Sequence, residues 1–346
     1  MAKSAPSATT SSGAAPGPLV RLEGLSLSSL PPGGIGIREN GELVPTLPRR
    51  LDSRVDESQA YMMLELFIRN VLTDSVPWLS VGMWSTVRNL NKYPTKEGAV
   101  ESYKHTFSIA ELNEMDTRGD PEANVDETWY ARRSWHSDLW GKGTATWDEF
   151  TRHFKRHHFE SEKSWCKSVI DSRKAMYWDT INLEVEAFGM QWNNISMEIV
   201  EMKHATPTPF VKNRAFPEVL ITASLRESQQ FLAISIPLID FGTSEFAVYA
   251  KDSSLIVAAY AAIEQFRVLD SGQIEWIMAT AADGKSSVPR WIEEFFVKRA
   301  VKKDVAMYME WVEQERRKGQ THDNGLAPES FGYLKALKVK MINAQQ

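Results

Sequence analysis

The chain has almost no cysteine: of its 346 residues, Cys166 carries the one thiol. A single thiol excludes a disulfide within the chain and any metal site built from two of its own thiolates. No stretch reaches the roughly 18 consecutive apolar residues of a transmembrane helix, so no stable membrane insertion is expected. Residues 1–18 are small and polar and lack the apolar run of a secretory signal. Together these absences favour a reducing compartment, and we expect a cytoplasmic location.

Positive charge is also scarce. The 40 Lys and Arg residues are outnumbered by 45 Asp and Glu residues, which gives a net charge of −5. A nucleic-acid partner requires a basic surface to neutralise phosphates, so none is expected. The glycine-rich residues 33–36 lack the preceding strand and the following Lys-Ser/Thr of a phosphate loop, and the sequence indicates no nucleotide or other cofactor.

Two histidines, His153 and His157, stand four residues apart on an expected helix, with Glu160 three residues further on. This spacing could place ligands for a metal on one helix face. No His-Glu-x-x-His arrangement occurs, and pairs at this spacing are common among solvated surface side chains. We therefore expect no metal. No feature of the sequence indicates an oligomeric state.

The composition is that of a globular protein: 42% of the residues are hydrophobic and 25% are charged. The 12 Trp and 13 Met residues can line irregular apolar cavities as well as fill a core. We expect a disordered or loop-like N-terminal arm at residues 1–50, one ligand-binding domain at 51–317, and a polar tail at 318–346.

The hydrophobic pattern predicts an α+β fold. Helical spacing covers residues 56–72, 146–170 and 289–312, the last with a possible bend near Ala300. Polar residues 111–127 are typical of an exposed loop. Strand-like runs occur at 83–89, 102–109, 128–136, 195–202, 218–223, 231–238, 257–268 and 274–280. Because the later strands follow one another without helices between them, they must pair antiparallel.

Four stretches resemble a known family: YARRSWH at 130–136, residues 147–165, residues 201–216, and EWIMATAADGKSSVPRW with its continuation to Trp311. They are similar to the fungal domain of unknown function 3074, a branch of the START-like (lipid-transfer and polyketide-cyclase-like) superfamily. The turn at Ala282–Ser286 departs from the family's usual Ser-Asp-Ala-Gly-Gly-like sequence. The resemblance implies a helix-grip fold, in which a curved antiparallel sheet wraps a long C-terminal helix around a hydrophobic cavity.

Candidate site residues follow from the strand faces. Glu201 and His204 could act as a catalytic base and acid, or could hold the neighbouring proline-containing turn in place. Arg132, Ser134 and His136 share one strand face and could bind an anionic or carbonyl group, or could face water. Alternation and helical spacing place apolar side chains on the cavity wall: Phe231, Trp276, Met278, Ile292 and Phe296.

Three functions are compatible with this pattern. The first is a cofactor-free enzyme of secondary metabolism that folds a terpenoid or polyketide intermediate for cyclisation, including a pericyclic, Diels-Alder-type step. The second is a non-catalytic carrier or sensor of a lipid or sterol. The third is a scaffold whose cavity is filled by its own side chains. The first two require a hydrophobic small molecule as partner, and the acidic balance favours the enzyme.

Overall fold

The computed structural model describes residues 16–46, 57–75, 91–95, 98–114, 125–206, 211–283 and 290–323. Side chains at 57, 91–99, 290–302 and 320–323 lie outside this description. The predicted strand at 83–89 and the residue Pro289 are outside the described residues, as are the side chains of Ile292 and Phe296.

One sheet organises the described part of the chain. Its strands are β1 Ile35–Ile37, β2 Leu43–Pro45, β3 Asn91–Thr95, β4 Gly98–Phe107, β5 Glu127–Ser137, β6 Val169–Tyr177, β7 Val185–Ala187, β8 Met190–His204, β9 Arg214–Leu225, β10 Gln230–Pro237, β11 Ile256–Val257, β12 Ala259–Val268 and β13 Gln273–Asp283. Their order is β2-β1-β6-β8-β9-β10-β12-β13-β5-β4-β3, with β7 beside β8 and β11 beside β9. Apart from the short parallel β9–β11 pair, these strands pair antiparallel, as the sequence predicts.

The helices lie on both faces of the sheet. They are α1 Glu57–Ser75, α2 Ile109–Glu114, α3 Trp147–Thr151, α4 His158–Trp165 and α5 Arg290–Asp323. Helix α1, the N-terminal arm and the loop after β10 cover one face, where Ile68, Trp129 and Ile221 belong to one apolar cluster. Helices α3 and α5 cover the other face, where Phe150 and Tyr308 pack on Trp276. This sheet and its C-terminal helix confirm the predicted helix-grip fold.

The predicted helix at 146–170 is shorter and interrupted. Thr146 caps α3 through a capping box with Glu149, which agrees with the acidic start seen in the sequence. A π-helical turn at Arg152–Arg156 then separates α3 from α4, and β6 begins at Val169. A π-turn changes the angle at which following side chains project. It therefore sets the direction of α4 along the sheet.

Two expectations about loops were wrong. Within the predicted loop at 111–127, α2 continues through Glu114, with Leu112 fully buried at its centre. In the arm, Gly36 of β1 pairs with Met176 of β6, so residues 35–45 extend the sheet. Local propensity could not show either result, because both depend on contacts with distant parts of the chain.

Candidate functional site

A cavity of about 550 Å³ lies between the inner face of the sheet and helices α4 and α5. Its apolar wall consists mainly of large side chains: Phe154, Trp165, Met202, Phe216, Tyr260 and Met278. Strand alternation explains the wall, because Met278 pairs across the ladder with Arg132 on β5 and with Glu264 on β12. These three neighbouring positions all face the cavity.

Arg132 is the most unusual group in this wall. Its side chain is 1% exposed, and Nε, Nη1 and Nη2 have no hydrogen-bond partner among the described residues. The guanidinium lies over the Trp276 ring at 3.7 Å, and Nη2 is 4.0 Å from Oε2 of Glu264. Burial lowers the pKa of Arg132, while the charges of Asp304 and Glu264 oppose that shift. The arginine thus presents unused donors inside an apolar cavity.

Glu264 is already well bound. It accepts a hydrogen bond from Nε1 of Trp276 at 2.8 Å, and its Oε1 lies 3.5 Å from Nε2 of His158. Burial favours the neutral carboxyl, but these partners and Arg132 outweigh it and lower the pKa of Glu264. The same carboxylate raises the pKa of His158. Glu264 and His158 therefore form an ion pair, which leaves Arg132 poorly compensated.

Three further carboxyl groups line the cavity, and burial raises the pKa of each. The pKa is about 7 for Glu162 on α4, about 8 for Glu218 on β9 and about 7 for Asp304 on α5. The charge of Glu162 adds to the effect on the other two. Oε2 of Glu218 has no hydrogen-bond partner among the described residues. At neutral pH these groups are largely or partly protonated and can donate hydrogen bonds.

His204 lies on the cavity wall near exposed Lys167 and Ala205. Its Nδ1 is 3.5 Å from Oγ of Ser168, which in turn is 3.2 Å from Sγ of Cys166. Burial lowers the pKa of His204 to about 4 and raises that of Cys166 to about 11. The imidazole is thus neutral and the thiol protonated, an arrangement that provides polar contacts rather than a strong nucleophile.

Glu201, the other candidate for proton transfer, is fully buried on the opposite face of the sheet. It pairs with Arg173 at 2.6 Å and accepts hydrogen bonds from the backbone N–H groups of Val248 and Ala250. This network attaches the loop after β10 to β8. The structure does not bring Glu201 together with His204, because residues three apart in a strand face opposite sides of the sheet.

The remaining candidates share the inner face of the sheet with Arg132 but stand beside the cavity rather than on its lining. Ser134 and His136 are buried and bonded to each other at 2.8 Å. Burial and the charge of Arg132 lower the pKa of His136 to about 3. Phe231 stacks on Phe266, and Trp276 supports Arg132 from below. Of the described candidates, the cavity brings together Arg132, His204 and Met278.

Sequence reasoning missed the acidic groups, namely Glu162, Glu218, Glu264 and Asp304. A signal for two of them exists, since Glu218 and Glu264 interrupt apolar strands at inward-facing positions. Within the described residues, no group of three or more His, Cys, Asp or Glu side chains is placed to hold a metal ion. No helix of the described part is long and apolar enough to cross a membrane.

Comparison with known proteins identifies one family. The model of a family described as "Protein of unknown function (DUF3074)" matches residues 129–312, more than half of the chain. No curated protein matches the sequence.

Solved structures of three human proteins are similar to this chain. STARD10 is 12% identical at a TM-score of 0.46, covering 82% of this chain and 91% of that one. StAR-related lipid transfer protein 5 is 10% identical at a TM-score of 0.48, and the match covers 75% of this chain and 100% of that one. The lipid transfer and protein localization domain of StarD13 (DLC2) is 10% identical at a TM-score of 0.40, and the match covers 65% of this chain and 88% of that one.

Proposed function

The chain belongs to the DUF3074 family, and from its cavity we propose that it binds a hydrophobic small molecule and promotes its cyclisation without a cofactor. The substrate class we propose is a terpenoid or polyketide intermediate of secondary metabolism. The cavity volume of about 550 Å³ lies within the range of about 300–1,000 Å³ typical of small-molecule sites.

The observation that supports this proposal is the unpartnered guanidinium of Arg132 within an apolar wall. Leaving buried donors without acceptors is costly, so a ligand oxygen that accepts from them gains more than it would in water. In a cyclisation, the same donors would stabilise negative charge that develops on a carbonyl or carboxylate. The apolar wall would hold the reacting atoms close together, which lowers the barrier without acid, base or metal.

A second function, a non-catalytic carrier or sensor of a lipid or sterol, is favoured by a different observation. The Cys166 thiol is held protonated, and His204 is neutral and its side-chain hydrogen bond to Ser168 is long at 3.5 Å. Binding alone requires neither group to react. The two functions agree on the cavity and differ in whether the ligand leaves it chemically changed.

One experiment separates them. Cells lacking the gene are compared with wild-type cells by mass spectrometry, and the accumulated hydrophobic intermediate is incubated with and without the purified protein. We expect the protein to accelerate cyclisation and to select one stereoisomer, measured by chiral chromatography. If the reaction without protein is equally fast and selective, the enzymatic function is wrong and the carrier function remains.

A matched pair of variants tests the site. Arg132→Met should slow turnover by about 10–100-fold, or about 1.4–2.8 kcal/mol, because the developing charge loses its donors. Arg133→Met changes the neighbouring residue of β5, which points to the other face and pairs with Glu275. This control should retain turnover, and equal losses in both variants would contradict a direct role for Arg132.

A further inference from the structure

The cavity contains buried hydrogen-bond donors that have no partner among the described residues. Glu264 and His158 compensate each other, and Arg132 approaches no carboxylate within hydrogen-bond distance in the described residues. A second donor is also unused, since Nε1 of Trp165 is buried in the same lining without a partner among the described residues. Unpartnered donors on both sides of the cavity favour a ligand group that accepts several hydrogen bonds and carries negative charge.

Asp304 is a second acid of the cavity whose charge is coupled to that of Arg132. After burial, the charge of Asp304 is the largest influence on the pKa of Arg132, and Arg132 is the group that most lowers the pKa of Asp304. The aspartate projects from α5 and lines the cavity opposite the sheet. A ligand anion that occupies the donors of Arg132 would remove the compensation on which the ionised form of Asp304 depends.

We propose, on the basis of the binding function proposed above, that the ligand of this cavity is a hydrophobic carboxylic acid. Its carboxylate takes the donors of Arg132, and Asp304 takes up a proton as the acid binds. No covalent bond changes in this step: one proton passes from solvent to the Asp304 carboxylate, and the ligand enters as its anion.

Other titratable and charged groups face this part of the cavity from each packed element. They are His158 and Glu162 on α4, Cys166 and Lys167 after α4, His204 on β8, Arg214 and Glu218 on β9, and Tyr260 and Glu264 on β12. Arg132 opposes the burial that raises the pKa of Asp304, whereas His158 is the charge that opposes it at Glu162 and Glu218. Asp304 is therefore the group expected to respond to the ligand.

The pH dependence follows from the pKa of about 7 that burial gives Asp304. Below pH 7 the aspartate already holds its proton, so affinity for the acid is flat down to the titration of the ligand itself. Above pH 7 binding must protonate Asp304, and affinity should fall about tenfold per pH unit. Glu162 and Glu218, with pKa values of about 7 and about 8, also ionise in this range, so a variant is needed to assign the slope to Asp304.

Isothermal titration calorimetry with three probes of identical tail tests the proposal: dodecanoate, dodecanol and dodecylamine. At pH 7, we expect dodecanoate to bind at least tenfold more tightly than dodecanol, which is neutral, or dodecylamine, which is cationic. Titrations in buffers of different ionisation enthalpy should show uptake of about one proton for dodecanoate at pH 8 and near zero at pH 6. Dodecanol should show neither proton uptake nor pH slope.

Variants assign the two roles. Asp304→Asn should keep dodecanoate binding but lose the slope above pH 7, whereas Asp270→Asn, on an exposed turn, should behave as the wild type. Arg132→Met should lose the preference for dodecanoate over dodecanol. Both variants are checked for wild-type circular dichroism, and if one does not fold, the other still tests the proposal.

The possible failures are distinct. If none of the three probes binds, the proposed hydrophobic binding site is wrong. If dodecanol binds and dodecanoate binds no more tightly, the hydrophobic binding site is supported but the proposal of a carboxylic acid ligand is wrong. If the slope survives Asp304→Asn, Asp304 is not the group that takes up the proton.

Discussion

Arg132→Met should make the free protein more stable while removing its ligand preference. Methionine keeps a flexible chain of similar reach that can lie on the Trp276 ring. The substitution removes three buried donor nitrogens that have no hydrogen-bond partner among the described residues. Glu264 retains the N–H of Trp276 and its contact with His158. Asp304, whose pKa burial raises to about 7, loses the charge that lowers its pKa and becomes neutral rather than an unpaired anion.

The magnitude comes from opposing terms. A buried polar group without a partner costs about 1–3 kcal/mol, and more when charged. Against this, the contact of Arg132 with the ring at 3.7 Å contributes about 2 kcal/mol where water is excluded. The weak Glu264 contact at 4.0 Å adds less. Since three donor nitrogens of a charged group lack partners among the described residues, their cost outweighs the ring contact, and we expect a net gain of about 1–3 kcal/mol.

Unfolding by guanidinium chloride at pH 7 without ligand measures this change in the free energy of unfolding. The change appears as a shift of the denaturation midpoint at a constant m-value. Arg133→Met is the matched control, and it should lose about 1–3 kcal/mol because Glu275, which is fully buried, would keep Arg267 but lose its other partner. A loss of more than about 1 kcal/mol in Arg132→Met would refute the reasoning and make the guanidinium a structural element rather than a ligand anchor.

Three further outcomes test the remaining geometry. Glu201→Gln should lower the free energy of unfolding by about 2–3 kcal/mol, because it weakens the charged hydrogen bonds that hold the loop after β10. The affinity for dodecanoate should stay unchanged, and an altered affinity would contradict the placement of Glu201 away from the cavity. Gly36→Ala should cost about 1–3 kcal/mol, since its Cβ would lie 2.3 Å from the Phe246 ring, and an unchanged melting temperature would contradict this packing. Burial raises the pKa of Glu218 to about 8, so unfolding releases its proton and the free energy of unfolding should fall between about pH 5 and 8. In urea denaturation across this pH range, Glu218→Gln should flatten the fall. A pH profile identical to that of the wild type would show that Glu218 does not cause it.

The parts of the fold that sequence predicts well are those with strict periodicity. Alternation at 128–136 places Arg132 and His136 on one strand face, and the structure has both on the inner face of β5. The stripe of α5 places Val305, Tyr308 and Val312 on a single side, and all three are buried in the core beneath it. In both cases one buried face imposes the pattern directly on the sequence.

Elements held by tertiary contacts left weaker signals. Strand β6 carries Arg173 and Lys174, which look solvent-facing in sequence, but pairing with Glu201 and Glu198 satisfies them within the sheet. The helix expected to reach Ile170 ends at Trp165, since β6 begins at Val169 to pair with β8. Strand pairing overrides local propensity wherever it supplies the hydrogen bonds that a helix would otherwise provide.

The candidate site shows the same division. Residue type and alternation identify Arg132 and Met278 as inward-facing, but they cannot rank one inward-facing polar residue above another. Asp304 sits four residues before Tyr308 in a helix rich in charges, so nothing in the sequence separates it from a solvated acid. Its role depends on α5 lying over β5, a contact between residues far apart in the chain.

The cost of these polar groups is itself an argument for a ligand. The inner face of the sheet can be filled with apolar side chains, as the packing of Phe231, Phe266 and Trp276 beside the cavity demonstrates. Within the same layer, the cavity instead holds a guanidinium without hydrogen-bond partners among the described residues and carboxyl groups whose charged forms burial disfavours. Groups that destabilise the free protein and face an open space gain their partners when something enters it. Ligand-free stability and ligand affinity should therefore change in opposite directions when Arg132 is replaced, a relation that a purely structural cavity does not predict.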